Sequence, residues 1–139
     1  MAYRSGFEKT VAASLSSRGI SFKYESICLP FRKPSRITKK LKELHNLPAD
    51  YTSETLHTYT PDFILENGVV IEVKGRFTSA MRTIMLNVIK WNPELDIRMC
   101  FQRDNKLHGG SKSHYSDWCK QHNILYCVGK IPSEWTLKG

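Results

Sequence analysis

The segment from Pro61 to Lys74 constrains the fold most, because its pattern predicts a β-hairpin whose register can be tested. A two-residue loop of Asn67 and Gly68 would mix charged and bulky apolar residues on both faces. A three-residue loop that starts at Glu66, with Gly68 left-handed, makes one face entirely apolar: Phe63, Leu65, Val69, Ile71 and Val73. A one-residue slip moves every side chain to the opposite face, so the cleaner sorting favours the three-residue loop.

The preferred register collects charge at one end of the hairpin's other face. It sets Asp62 opposite Glu72, and Lys74 follows two residues later on the same face. Directly opposed strand residues have Cβ atoms about 4.5–5.5 Å apart, so the two carboxylates would repel each other. A divalent cation that prefers hard oxygen ligands, Mg²⁺ or Mn²⁺, would relieve this repulsion. The alternative is a surface salt-bridge ladder, but Pro-Asp at this offset favours the metal site.

The rest of the chain predicts one mixed α/β domain. Its 139 residues suit a single domain with a sizeable core. A first helix is predicted over residues 6–18, where Ser5 and Glu8 match a capping box and Gly19 supplies a left-handed stop. The pattern then predicts a strand, an arm, the hairpin, a helix, a strand, a helix and a strand, over residues 20–29, 30–57, 61–74, 78–91, 95–101, 113–122 and 124–128.

Residues 30–57 are predicted to form a basic arm or bridge, because the segment is too short to bury its own core. Leucines at near-helical spacing indicate a short helix inside it. Six cations fall within eleven residues: Arg32, Lys33, Arg36, Lys39, Lys40 and Lys42. The net charge of +8 is typical of chains that bind a polyanion such as nucleic acid. The arm is therefore interpreted either as a solvated basic face or as a grip on the DNA backbone.

The four cysteines lack the paired spacing of a zinc ribbon or finger. Cys119, His122 and Cys127 form a loose cluster that could bind zinc, but reduced and buried cysteines explain the set more simply. No apolar stretch is long enough for a membrane span, and the first residues lack a secretory signal. These features predict a cytoplasmic protein without a membrane partner.

The hairpin's Pro-Asp, Glu-x-Lys pattern matches the PD-(D/E)xK nuclease signature, and six blocks in order extend the match over nearly the whole chain. The blocks are R-S-G-F-E around Phe7, H-T-Y-T-P-D-F from His57 to Phe63, N-G at Asn67-Gly68, E-V-K-G from Glu72 to Gly75, P-E-L-D-I-R from Pro93 to Arg98, and I-P-S-E-W from Ile131 to Trp135. Together they resemble the phage T-seven endonuclease I family of Holliday-junction resolvases.

The resemblance implies a restriction-endonuclease-like mixed sheet flanked by helices, in an intertwined or element-swapped homodimer. It also implies Mg²⁺-dependent cutting of branched DNA, with Mn²⁺ as a substitute. Carried over residue by residue, the catalytic set is Glu8, Asp62, Glu72 and Lys74, and the three acids are the metal ligands. The arm over residues 30–57 is longer than the segment that usually joins the first strand to the hairpin in this family. In the family, that segment contains the bridge.

Three further residues are candidates for contacts with phosphate. Arg4 and Ser5 precede Glu8 near a helix N-terminus, where capping and solvent exposure are the alternative roles. His57 lies shortly before Asp62 and is either a phosphate contact or an ordinary loop histidine. The leading hypothesis is an endonuclease that resolves four-way junctions. The alternatives are a related nuclease that cuts linear duplex DNA in repair or restriction, and a DNA-binding module without catalytic activity.

Overall fold

The computed structural model describes residues 2–35 and 37–137. Arg36, one of the predicted arm cations, therefore lies outside the described residues. Four α-helices and seven strands are present in the described part of the chain, which confirms the predicted mixed α/β class. The elements are α1 (Gly6–Ser17), β1 (Phe22–Tyr24), β2 (Leu29–Ser35), α2 (Lys39–Leu44), β3 (Ser53–Tyr59), β4 (Phe63–Leu65), β5 (Val70–Lys74), α3 (Ser79–Trp91), β6 (Ile97–Phe101), α4 (Tyr115–Gln121), β7 (Tyr126–Val128) and a short 3-10 helix (Ser133–Thr136).

The main sheet has five strands in the order β1-β4-β5-β6-β7. The first two pairings are antiparallel, whereas β5, β6 and β7 run parallel. Helix α1 and the 3-10 helix cover one face, where Leu15 and Trp135 are buried. Helices α3 and α4 cover the other, where Met85 and Trp118 are buried. The helices thus flank the sheet on both faces, in the arrangement that a mixed sheet requires to bury its apolar side chains.

The hairpin adopts the three-residue loop that its pattern predicts. Phe63 pairs with Ile71, and Ile64 pairs with Val70. Gly68 lies in the left-handed region at φ 92°, and its N–H donates to the Leu65 carbonyl over 2.9 Å. The predicted apolar face is buried against α1, since all five of its residues belong to that half of the core. Register, loop and facing are therefore confirmed.

Helix boundaries follow the predicted start and stop signals closely. The Ser5 hydroxyl accepts the N–H of Glu8 over 3.1 Å, and Gly19 lies at φ 70° after the end of α1. Thr78 caps α3 in the same way, by accepting the N–H of Met81. The remainder of the predicted capping box differs, because the Glu8 carboxylate accepts a hydrogen bond from the Tyr24 hydroxyl.

The single strand predicted over residues 20–29 is wrong. Two strands occupy this region, and they belong to different sheets. The break falls at Glu25, which adopts a left-handed conformation at φ 47° and donates its N–H to the Asp62 carbonyl over 2.9 Å. The alternating pattern on either side of Glu25 carries no sign of this turn, since non-glycine residues seldom adopt a positive φ.

The arm is a two-stranded antiparallel hairpin of β2 and β3, with α2 in the connection between its strands. It extends from residue 29 to residue 59, slightly beyond the predicted 30–57. Leu29 and Phe31 at its base are buried in the core of the domain. The outer part is exposed, and Leu44 on α2 is 73% exposed. The short helix is confirmed, but its leucines do not form a core of their own.

Three of the four cysteines are buried and reduced, as predicted, whereas Cys28 is exposed. Cys127 on β7 lies opposite Cys100 on β6 in the strand register. The described residues form no metal-binding cluster around Cys119, His122 and Cys127. None of the helices in the described ranges is long and apolar enough to cross a membrane.

Candidate active site

The carboxyl end of β5 brings together Asp62, Glu72 and Lys74, as the hairpin register predicts. Glu72 is 1% exposed, and its Oε1 lies 3.2 Å from the ammonium of Lys74. Asp62 is 6% exposed, and its Oδ2 accepts the N–H of Val73 over 2.8 Å. Charged groups are rarely buried to this extent without a partner, because an uncompensated buried charge is costly. The two buried carboxylates therefore require compensating positive charge at this edge of the sheet.

Burial raises the pKa of Asp62 to about 8, and the negative charge of Glu72 adds to this rise. The Val73 N–H and the Lys74 ammonium act in the opposite direction, because both favour the ionised form, but they do not offset the burial. Two carboxylates that share a buried site cannot both ionise at little cost. A cation bound at Asp62 would therefore release a proton from it at neutral pH.

Glu72 has one oxygen that the protein leaves without a partner. Its Oε2 is fully buried and receives no hydrogen bond of good geometry from the described residues, although the side chains of Tyr59 and Asp62 both approach the Glu72 carboxylate. A buried carboxylate oxygen without a donor is costly, and such atoms in native proteins commonly mark a functional demand or a missing ion. The geometry and the hard-oxygen chemistry of this atom fit a divalent cation.

Glu8 reaches the same region from the first turn of α1. Its carboxylate is buried and lies with those of Asp62 and Glu25, so that one oxygen of each falls within 4.8 Å of the others. The structure thus brings Glu8 and Asp62 together, as the resemblance implies, but the third member of this group is Glu25 and not the predicted Glu72. Three carboxylates this close suit a divalent cation. Asp62 also interacts electrostatically with Glu72 on the opposite strand of the hairpin.

Two residues of the site escape the sequence analysis. Glu25 is one, because its approach depends on the left-handed turn after β1 that the sequence does not signal. Tyr59 is the other: its ring centroid lies 5.9 Å from the Lys74 ammonium. Burial and the charge of Glu72 raise the pKa of Tyr59 well above its usual value, so the hydroxyl stays protonated. Its place in the H-T-Y-T-P-D block, three residues before Asp62, was the available signal.

The predicted phosphate contacts divide between the edge of the acidic cluster and the arm. Arg4 forms an ion pair with Glu25 over 2.7 Å, and Ser5 caps α1. Together with Lys9 they line an open cleft of about 410 Å³ near the start of α1. His57 stacks on Phe31 in the arm, with ring centroids 5.5 Å apart. Arg4 and Ser5 thus border the acidic cluster, whereas His57 belongs to the arm.

The described arm cations lie along β2 and on α2. Arg32 lies over the ring of Trp91, 5.9 Å from its centroid, and Lys33 is exposed on the same strand. On α2, Lys39 and Lys40 are exposed, and Lys42 donates to the Ala49 carbonyl over 2.6 Å. At about 3.4 Å per residue, strand β3 spans about 20 Å between Ser53, where the connection that carries α2 ends, and Tyr59.

Tyr24 orients Glu8, and its removal is expected to weaken the response to metal. Its hydroxyl donates to Glu8 Oε2, and burial together with that bond raises the pKa of Tyr24, so the donor persists at high pH. Groups that hold a metal ligand from behind typically contribute 10–100-fold to metal affinity or activity. Tyr24→Phe should therefore raise the dissociation constant for Mg²⁺ at this acidic cluster about tenfold, as measured by a calorimetric Mg²⁺ titration.

The matched control is Tyr126→Phe, a half-buried tyrosine on β7 that is not part of the acidic cluster. It should leave the Mg²⁺ titration unchanged. A Tyr24→Phe titration that superimposes on the wild-type curve would show that Glu8 needs no such support.

Comparison with known proteins gives one consistent result. The family model described as phage endonuclease I matches residues 1–138. "Endonuclease I" of Escherichia phage T7 is 37% identical over 135 residues, which cover 96% of this chain and 78% of that protein. "Endodeoxyribonuclease 1" of Enterobacteria phage T3 is 39% identical over 132 residues, or 94% of this chain and 74% of that protein. On its sequence and on the acids and lysine that its hairpin gathers, the chain belongs to the phage endonuclease I family.

Proposed function

We propose that this chain is a Mg²⁺-dependent endodeoxyribonuclease that resolves four-way DNA junctions as a homodimer. Membership of the endonuclease family carries the coarser statement, that the chain is a nuclease. The observation that carries the metal-dependent chemistry is the buried, unpartnered Oε2 of Glu72 beside Asp62 and Lys74. A non-catalytic DNA-binding module would gain nothing from buried negative charge at this edge.

Glu8, Asp62 and Glu72 would hold the cation through their carboxylate oxygens. When bound, a divalent cation lowers the pKa of an attacking water and stabilises negative charge on the phosphate and the leaving oxygen. The three acids supply the charge that retains it. All three carboxylates are buried, so a cation bound to them would be shielded from bulk water. In a dry site each fixed charge acts more strongly than it would in solvent.

Lys74 acts directly on the substrate. Its side chain is 14% exposed, and its ammonium lies 3.2 Å from Glu72 Oε1 and 5.9 Å from the ring centroid of Tyr59. These two contacts leave part of the ammonium free to donate to a phosphate oxygen or to the attacking water. A fixed donor of this kind stabilises charge that develops in the transition state, without having to reorganise.

Dimerisation and junction choice belong together in this proposal. A four-way junction has two symmetry-related strands to cut, and a twofold dimer supplies two sites. The named relatives come from phages T7 and T3, which supports our proposal that the chain acts on DNA in the cytoplasm of a bacterial host.

The deciding experiment compares cleavage of a four-way junction with cleavage of a linear duplex of matching sequence, each with Mg²⁺ and with EDTA. We expect cleavage of the junction alone, in two symmetry-related strands, and only with Mg²⁺. Equal cutting of both substrates would favour a nuclease for linear duplex DNA. Tight binding without any cleavage would favour the DNA-binding module.

The arm should contribute affinity and not chemistry. Replacing Lys39, Lys40 and Lys42 together by Gln should weaken junction binding and lower the slope of log affinity against log salt by about 0.9 for each lost phosphate contact. The single-turnover rate at saturating enzyme should stay near the wild-type rate, since the three lysines belong to the connection between β2 and β3 and β3 spans about 20 Å from that connection to Tyr59.

An unchanged salt slope in that triple variant would exclude the arm from the DNA interface. A collapsed rate at saturating enzyme, with the fold intact by circular dichroism, would instead make the arm part of the active site. Replacing Lys90, Lys120 and Lys130 together by Gln, three exposed lysines outside the arm, removes the same charge and provides the control for loss of net charge.

A further inference from the structure

A second basic cleft lies beside the candidate active site and contains none of its acids. It has a volume of about 450 Å³ and opens between the start of α3 and the loop that follows β6. Arg76, Arg82 and His108 line it, and no acidic residue among those that the structure describes does so. These three residues are not among the predicted site residues. They take no part in metal binding or in the proposed role of Lys74.

The cleft and the active site share one edge of the sheet. Arg76 follows Lys74 by two residues, which limits the distance between their Cα atoms to about 7 Å. The loop that carries His108 leaves β6, the parallel neighbour of β5, and Gln102 donates its N–H to the Lys74 carbonyl over 3.1 Å. Ligands of parallel sheets bind outside the carboxyl ends of the strands, where both segments begin.

The positive charge of this cleft is not neutralised within the described part of the chain. Arg76 is exposed and forms no ion pair with a described residue. The acids of the neighbouring segments are engaged elsewhere: Asp104 accepts the N–H of Ser116 over 2.9 Å, and Asp117 accepts that of His114 over 2.8 Å. A concave surface with uncompensated cations attracts anions.

The walls of the cleft are held in place before any ligand arrives. The Arg82 guanidinium donates to the Phe77 carbonyl over 2.7 Å, so one of its ends is fixed while its other N–H groups remain. The Tyr115 hydroxyl accepts the Phe77 N–H over 3.1 Å, and the Phe77 ring packs edge-on against Trp118 with centroids 4.9 Å apart. A preformed site loses little entropy when it binds.

We propose that this cleft binds a backbone phosphate of the DNA strand being cut, next to the scissile phosphate, through Arg76, Arg82 and His108. The inference rests on the proposed function and adds a positioning site to it. Arginine suits this role because its planar guanidinium donates two parallel hydrogen bonds to phosphate oxygens. Phosphate contacts of this kind fix the register of a substrate without reading its sequence.

The test uses the full chain with Glu72→Gln, so that DNA is bound without being cut. Its substrates are six four-way junctions. Each carries a single uncharged methylphosphonate, placed at a different one of the three linkages on either side of the cut. One of these junctions should bind about tenfold more weakly than the unmodified junction, since it loses a charge-assisted hydrogen bond. Addition of Arg76→Gln should reduce that penalty to about threefold, because one of the three partners of the phosphate is already absent while Arg82 and His108 remain.

Lys90→Gln is the matched control, because Lys90 is exposed near the opposite end of α3 and its replacement removes the same charge. It should leave the tenfold penalty intact. His108→Gln should reduce the penalty in the same direction as Arg76→Gln. Because Arg76 is exposed, its replacement should preserve the fold, which the melting temperature checks.

A penalty that stays the same with Arg76→Gln at all six linkages would overturn this inference while leaving the nuclease assignment intact. Failure of the parent chain to bind or cut any junction would overturn the proposed function, and this inference with it.

Discussion

Glu72→Gln is expected to lower the single-turnover cleavage rate about 10³-fold while the protein stays folded. The substitution keeps the shape of a fully buried side chain but removes the charge that Lys74 and a cation both require. It also removes the charge that disfavours ionisation of Asp62. The variant should therefore be at least as stable as the wild-type chain, so that lost activity cannot be attributed to unfolding. Rapid-quench cleavage at saturating enzyme and Mg²⁺ measures the rate.

Glu94→Gln is the matched control, because Glu94 is an exposed acid that lies outside the acidic cluster. Its cleavage rate and its free energy of unfolding should stay close to the wild-type values, within about 0.5 kcal/mol for stability. If Glu72→Gln retained more than a tenth of the wild-type rate, Glu72 would have no place in the catalytic set.

Asp62→Asn is expected to abolish cleavage and to stabilise the metal-free protein at high pH. Burial raises the pKa of Asp62 to about 8 in the folded chain, against an ordinary value near 4. Between these two values the folded state binds more protons than the unfolded state, so wild-type stability falls as pH rises. Each unit of pKa shift is worth about 1.4 kcal/mol, which puts the total loss at a few kcal/mol.

Asparagine cannot titrate, but its side-chain oxygen can still accept the Val73 N–H. The stabilities of the two proteins should therefore agree near pH 4 and diverge up to about pH 8, with Asp62→Asn the more stable at the upper end. Urea unfolding in EDTA across this range measures the difference. Saturating Mg²⁺ at pH 8 should restore wild-type stability, since a ligand that binds only the folded state stabilises it.

Asp96→Asn is the control of opposite sign, because a hydrogen bond from Arg98 lowers the pKa of Asp96. Any stability that this pair contributes is present above the ordinary pKa of an aspartate and is lost as pH falls, so the control should not alter the slope between pH 5 and pH 8. Parallel curves for the wild-type chain and Asp62→Asn would show that Asp62 ionises normally.

The hairpin and most of the site at its end were predictable from the pattern of the amino-acid sequence alone. The period-two pattern of residues 63–73 admits one register that separates apolar from charged side chains, and that register sets Asp62 opposite Glu72. Helix boundaries were equally readable, because Ser5, Gly19 and Thr78 signal them through local backbone chemistry. These features depend on near neighbours in the chain, so pattern and spacing are sufficient to predict them.

The rest of the site depends on tertiary contacts between segments that are distant in the sequence. Glu25 joins the acidic cluster through a left-handed turn that pairs its N–H with the Asp62 carbonyl, a contact across 37 residues that no local pattern encodes. Tyr59 reaches Lys74 because β3 returns from the arm to the sheet edge. The cleft at Arg76 and His108 likewise forms only where loops from two parallel strands meet. Each depends on how distant segments pack, and packing is decided by burial in three dimensions and not by periodicity along the chain.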